Sequence, residues 1–146
     1  MLSVANKTRQ SLPALPFAAI ADHVLGTQYE LSLVFIGSHR SRRLNRTYRE
    51  KDRPTNVLSF PYDKKSGEIF IDLKKARSEC KKFDSTFNHH VGYLFIHGVL
   101  HLKGLDHGST MDRKETNLVK TFLDGTNNSN RSRHRHVLHS GRRVRI

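Results

Sequence analysis

The chain has 146 residues, the size of one compact domain, and a formal net charge of +13. Its single cysteine, Cys80, excludes an intramolecular disulfide and a cysteine metal cluster, so a metal would have to be held by His, Asp or Glu. The longest apolar run, residues 12–21, contains two prolines and falls short of the about 20 apolar residues that a membrane helix needs.

Near the N-terminus, LSVAN is a short apolar strand, and residues 13–25 form an amphipathic helix that Gly26 stops. The first 21 residues carry Lys7 and Arg9 and no acid, a pattern shared with organellar presequences. The same residues serve as an opening strand and helix, so the cytoplasm is the expected location and organellar import the minor alternative. In YELSLVFIG, Leu31, Leu33 and Phe35 alternate with Ser32, Val34 and Ile36, which predicts a strand with one well-buried face. Ser38 is positioned to N-cap the helix SHRSRRLNRTYR, in which Leu44 and Tyr48 share one side while arginines coat the other. Such a coat is either solvated surface or a contact for a polyanion.

The polar turn EKDRPT leads to NVLSFPY and GEIFID, two β-rich runs joined by DKKSG and expected to form a hairpin whose loop Gly67 closes. Asp72 caps the next helix, LKKARSECKKF, with Leu73, Ala76 and Cys80 inward and Cys80 acting as a small buried hydrophobe. A longer helix starts near Ser85 or Thr86, carries HHVGYLFIHGVLHLK and ends at Gly104. The last helix, STMDRKETNLVKTFLDG, has Ser109 at its N-cap and Gly125 beyond its end. Strands do not alternate strictly with helices, so the fold class is α+β. The domain is placed at residues 1–125. Residues 126–146 hold six arginines and no acid, with too few apolar side chains to offset the entropy of ordering, and are expected to be a disordered basic tail. Removing those six arginines leaves +7 on the body, whose natural partner is a polyanion such as a nucleic acid.

The chemistry centres on HGVLHLKGLDH. Four helical residues advance about 400°, so His97 and His101 point the same way one turn apart. Beyond the break at Gly104, His107 returns to the open side of the pair. Three imidazoles can hold one divalent cation and leave a coordination place for solvent, the pattern of a catalytic rather than a structural site. Water in that place would lose its proton near neutral pH. Asp106 is a candidate for holding a ligand ring's second N–H. His89 and His90 face different directions and are expected on the surface; His134, His136 and His139 suit adventitious metal binding. Helix-borne zinc peptidases place a glutamate after the first histidine as general base, and here that position is Gly98. The peptidase reading therefore lacks its base. A phosphodiester, which needs mainly charge stabilisation at phosphorus, suits the basic body better.

The histidine motif with Met111 and Glu115, together with NRTYREKDRPTNVLSFPY and GEIF, resembles the YbeY family of metal-dependent endoribonucleases, which mature ribosomal RNA and take part in ribosome quality control. The resemblance covers about residues 3–125. It implies a small mixed β-sheet packed with helices, with the metal site on a central helix and the following turn. It also implies His97, His101 and His107 as ligands, zinc as the usual metal, and single-stranded RNA, above all ribosomal RNA, as substrate, with ribosomal proteins or assembly factors as further partners. Arg49 matches the family's functional arginine, and its fork suits a phosphate oxygen. The alternative for Arg49 is a loop arginine pairing with Glu50 or Asp52. Asn56 stands where the family often has aspartate. Two other readings stay open: an RNA-binding assembly factor with a structural metal, and a metallopeptidase.

Overall fold

The computed structural model describes residues 1–50 and 55–124. The tail at 126–146 and Asp52 lie outside the described residues. The elements follow as β1 Leu2–Asn6, α1 Phe17–Leu25, β2 Glu30–Ile36, α2 Ser38–Arg49, β3 Val57–Asp63, β4 Ser66–Asp72, α3 Leu73–Lys82, α4 Phe87–Leu102 and α5 Ser109–Phe122. The four strands form one mixed sheet in the order β1-β2-β4-β3, with β3 antiparallel to β4 and the other pairings parallel. The α+β class and the mixed sheet are as expected.

Several local boundaries differ from the sequence reading for identifiable reasons. Helix α1 begins at Phe17 rather than at residue 13, because the residue before a proline is excluded from the helical basin and Pro16 occupies the cap position. Strand β2 is buried on both sides in its second half. Leu31, Leu33 and Phe35 enter the main core, while Val34 and Ile36 are also buried on the opposite face, the side of the sheet where α2 lies against β4. Gly37, not Ser38, caps α2, and its inner line is Ser41 and Asn45, with Leu44 half-buried and Tyr48 turned out to solvent. Ser41 is drawn inward because its hydroxyl donates to the Asp72 carboxylate at 2.7 Å. That carboxylate also accepts from the Lys75 N–H at 2.9 Å, so Asp72 caps α3 as expected.

The hairpin is present, but Gly67 does not close it. The Asp63 carboxylate does, accepting from the Lys65 N–H at 2.8 Å and the Ser66 hydroxyl at 2.9 Å. Gly67 lies inside β4 opposite Pro61, where a Cβ would stand 2.5 Å from the Tyr29 hydroxyl oxygen. Thr86 caps α4 through the His89 N–H. Gly108 caps α5, and Ser109 is its first residue.

Helix α4 is the hub, packed against α1, α3, α5, β3 and β4 and buried continuously from His89 to Leu100. His89 and His90, expected on the surface, are therefore interior. Each is matched by a carboxylate: His89 Nε2 lies 2.9 Å from Asp124, and His90 Nε2 lies 3.0 Å from Glu79. Asn56 joins the second pair by donating its amide to both Glu79 oxygens at 3.2 and 3.3 Å. The approach of α4 to the sheet is set at Gly98. Its carbonyl accepts from the Ser59 hydroxyl at 3.1 Å, and a Cβ there would stand 3.0 Å from Ser59 Oγ and 3.2 Å from Ile69.

Gly98→Leu should accordingly cost about 3 kcal/mol by overpacking, seen as a lower urea midpoint. For Glu79, burial opposes ionisation, but the His90 and Asn56 hydrogen bonds outweigh it and hold the carboxyl below its usual range. A lowered folded pKa contributes stability above the ordinary carboxylate range that is lost as pH falls through the folded value. Glu79→Gln should therefore lower the urea midpoint near neutral pH and give a shallower decline in acid than the native chain shows.

Candidate metal centre

The three sequence-predicted histidines come together at the C-terminal end of α4. His97 and His101 project from successive turns with their Nε2 atoms 3.1 Å apart. After Leu102 the chain turns at Gly104, whose φ of +104° is the left-handed conformation that glycine adopts without strain. The Gly104 N–H reaches the His101 carbonyl, and the Leu105 N–H reaches the Leu100 carbonyl. This tight closure brings His107 back, with ring centroids 5.1 Å from His97 and 4.8 Å from His101. The ligand atoms of all three lie within 4.8 Å of one another, and the group could hold a metal ion. Exposure is graded: His97 is buried, His101 half-buried and His107 exposed, so the centre faces solvent on its loop side.

The hydrogen bonds of the far ring nitrogens decide what the near ones present. His101 Nδ1 lies 3.1 Å from the Leu105 carbonyl, which only accepts, so Nδ1 carries the proton and Nε2 holds a lone pair. His97 Nδ1 is bonded to the Glu115 carboxyl of α5. With Glu115 ionised, His97 Nδ1 is likewise the donor, and two lone pairs face each other across 3.1 Å. That contact is repulsive unless a cation sits between them. The spacing suits one, since imidazole nitrogens about 2.0–2.1 Å from a tetrahedral ion stand about 3.3 Å apart. Without a cation the same chain is satisfied by one added proton, with Glu115 donating to His97 and His97 Nε2 donating to His101.

Electrostatics agree with a centre built for neutral imidazoles. Burial, aided by the charge of His107, pushes His97 down to about 3. Burial and then its two histidine neighbours push His101 down to about 4. Burial followed by the nearby Asp112 pushes the Glu115 carboxyl up to about 8. Both imidazoles are thus neutral throughout the physiological range, the charge state that metal ligation requires, and with Glu115 protonated at neutral pH His97 Nε2 donates to His101 unless a cation takes the place of that proton.

The carboxylate behind a ligand ring is Glu115 and not Asp106, which is exposed beside His107. The signal for it lay in α5, where Met111, Glu115 and Leu118 recur along one buried face: a glutamate in an apolar stripe calls for a partner. Arg49 ends α2 and is half-buried. Glu50 follows it in the left-handed conformation, with φ of 57°. Among the described residues, no further His, Cys, Asp or Glu joins the three-histidine group.

Comparison with known proteins points the same way. The chain is 34% identical over 101 residues to proteins named Endoribonuclease YbeY from Bacillus thuringiensis, Bacillus mycoides and Bacillus cereus, a match spanning 59% of this chain and 65% of each relative, just under two-thirds of their length. Its fold is similar to the solution structure of TM1509 from Thermotoga maritima, with a TM-score of 0.64 at 23% identity, over 89% of this chain and 93% of that one. The model of the family described as Endoribonuclease YbeY matches residues 4–123, which takes in the fold from the second half of β1 through α5 as well as the imidazole cluster, and the chain belongs to that family.

Proposed function

We propose that the protein is a metal-dependent endoribonuclease that cuts single-stranded RNA and acts in the maturation and quality control of ribosomal RNA in the cytoplasm. One observation carries this reading: two neutral imidazoles on successive turns of α4, one buried and one half-buried, bring their Nε2 atoms to 3.1 Å, with a third beside them open to solvent, on a body of net positive charge. Family membership supports it, as do the relatives' names. No helix among the described residues is long and apolar enough to cross a membrane.

His97, His101 and His107 would hold the cation, most simply zinc given three nitrogen donors. When bound it supplies Lewis acidity and neutralises charge on a phosphoryl oxygen. The remaining work belongs to the chain. Glu115 fixes the tautomer and orientation of His97, and the Leu105 carbonyl does the same for His101. Arg49 would grip a non-bridging phosphate oxygen in its fork and offset the charge that grows as the phosphodiester is attacked. Gly98 supplies no carboxylate after His97, and a side chain at that position would press on Ser59 and Ile69. The peptidase reading lacks a base for that reason.

His101→Ala should lose both metal content and cleavage of a defined single-stranded RNA, while Arg49→Ala should keep its metal and lose about 100-fold in kcat. Full cleavage by a metal-free His101→Ala chain would overturn the nuclease assignment. Unfolding of the domain on chelation, with no cutting by the purified loaded protein, would instead favour an assembly factor with a structural metal. Glu115→Gln should weaken metal affinity about 10- to 100-fold, measured by competition with a chromogenic chelator, and leave the fold intact.

A further inference from the structure

The face of the sheet opposite α4 carries a row of aromatic rings that the fold does not use as core. Tyr48, in the last turn of α2, meets Phe60 of β3 edge-on at 5.3 Å, and Phe60 meets Phe70 of β4 in the same way at 5.8 Å. Tyr62 reaches the same face, since its hydroxyl donates to Glu68, the residue opposite Phe60. Tyr48 and Tyr62 are each 64% exposed, whereas Tyr29 and Tyr93 are buried.

Cations flank the row on both sides. Helix α2 carries Arg40, Arg42, Arg43, Arg46 and Arg49 and no acid, and the β3–β4 turn carries Lys64 and Lys65. Exposed aromatic faces between basic groups suit a strand of nucleic acid whose bases are unpaired, with the rings taking the bases and the cations the phosphates. A duplex keeps its bases stacked on each other and could not use the rings. Strand β3 links the row to the helix that carries the imidazole centre. That strand is the edge of the sheet, Ser59 faces α4 at Gly98, and Phe60, the next residue, points to the opposite face. A single strand bending round this edge would touch both.

We propose that the surface from Tyr48 across Phe60 to Tyr62 is a stacking platform for single-stranded RNA flanking the cut, with the α2 arginines and Lys64 and Lys65 holding its phosphates. The proposal rests on the ribonuclease reading for the identity of the strand but not for the binding itself.

The test uses the full chain and two fluorescein-labelled probes of equal length, an oligoadenylate and an abasic sugar-phosphate oligomer, with anisotropy read at several salt concentrations. Tyr48→Ala and Tyr62→Ala should each weaken oligoadenylate binding by roughly 5- to 100-fold, leave the salt slope unchanged and leave abasic binding unchanged. Tyr48→Phe should restore it. Arg43→Ala should lower the salt slope by about one for both probes. Because the chain has no tryptophan, quenching of its tyrosine emission by the oligoadenylate, lost in the double alanine variant, gives an independent readout. Equal loss on both probes, or no loss from either tyrosine variant, overturns the platform; the second result would give this face to a protein partner. His101→Ala separates the two readings: if it fails to cut but binds as the native chain does, both stand. If the native chain binds through its tyrosines and never cuts, the platform survives and the nuclease assignment falls.

Discussion

Helix α4 is buried along most of its length and yet carries four histidines, so the fold has to satisfy four imidazoles in a place where an unmatched polar group is costly. For one nitrogen of each ring it draws an acceptor from α3, from α5 or from the segment that follows α4 or α5. Glu79 of α3 meets His90, Glu115 of α5 meets His97, Asp124 just beyond α5 meets His89, and the Leu105 carbonyl of the following loop meets His101. The apolar core drives these helices together, but the polar pairs specify the rotation and depth at which they dock. The imidazole pair inherits that precision, because the same contacts that orient α4 also orient His97 and His101.

The centre combines two degrees of rigidity. His97 and His101 stand on a buried helix, each with its far nitrogen anchored, whereas His107 comes from an exposed loop held by the backbone closure at Gly104. A pair of anchored rings with a third on an exposed loop would leave one side of a bound ion open to solvent. The opening lies on the loop side, where solvent reaches His107.

Much of this was legible from the chain alone. The i, i+4 histidine spacing and the glycine break after it determine where the side chains go by helix geometry, and those three came together as expected. Strand existence followed from the alternation in β2 and the β-branched runs of the hairpin. What the sequence concealed depended on partners distant in the chain. The interior position of His89 and His90 follows from carboxylates 35 and 11 residues away, and adjacency on a helix says nothing about a helix enclosed on all sides. Gly67 resembled a turn residue by type, yet its reason is the Tyr29 ring pressing on β4, and the turn is closed by an aspartate instead. Glu115 was overlooked in favour of the sequence neighbour Asp106 because proximity along the chain is a poor guide to which carboxylate lies behind a ring.

The close seat of α4 on the sheet at Gly98 has a bearing on evolutionary reach. Metallopeptidases and this protein share a helical histidine pair, and a change of one codon would be enough to write the missing glutamate into the gene. Placing it is another matter, because the position faces Ser59 and Ile69 at the sheet. Accommodating it would require Ser59 and Ile69 to give way, so a shared histidine pair on a helix does not by itself make the two chemistries interchangeable: the strand beneath the helix has a say.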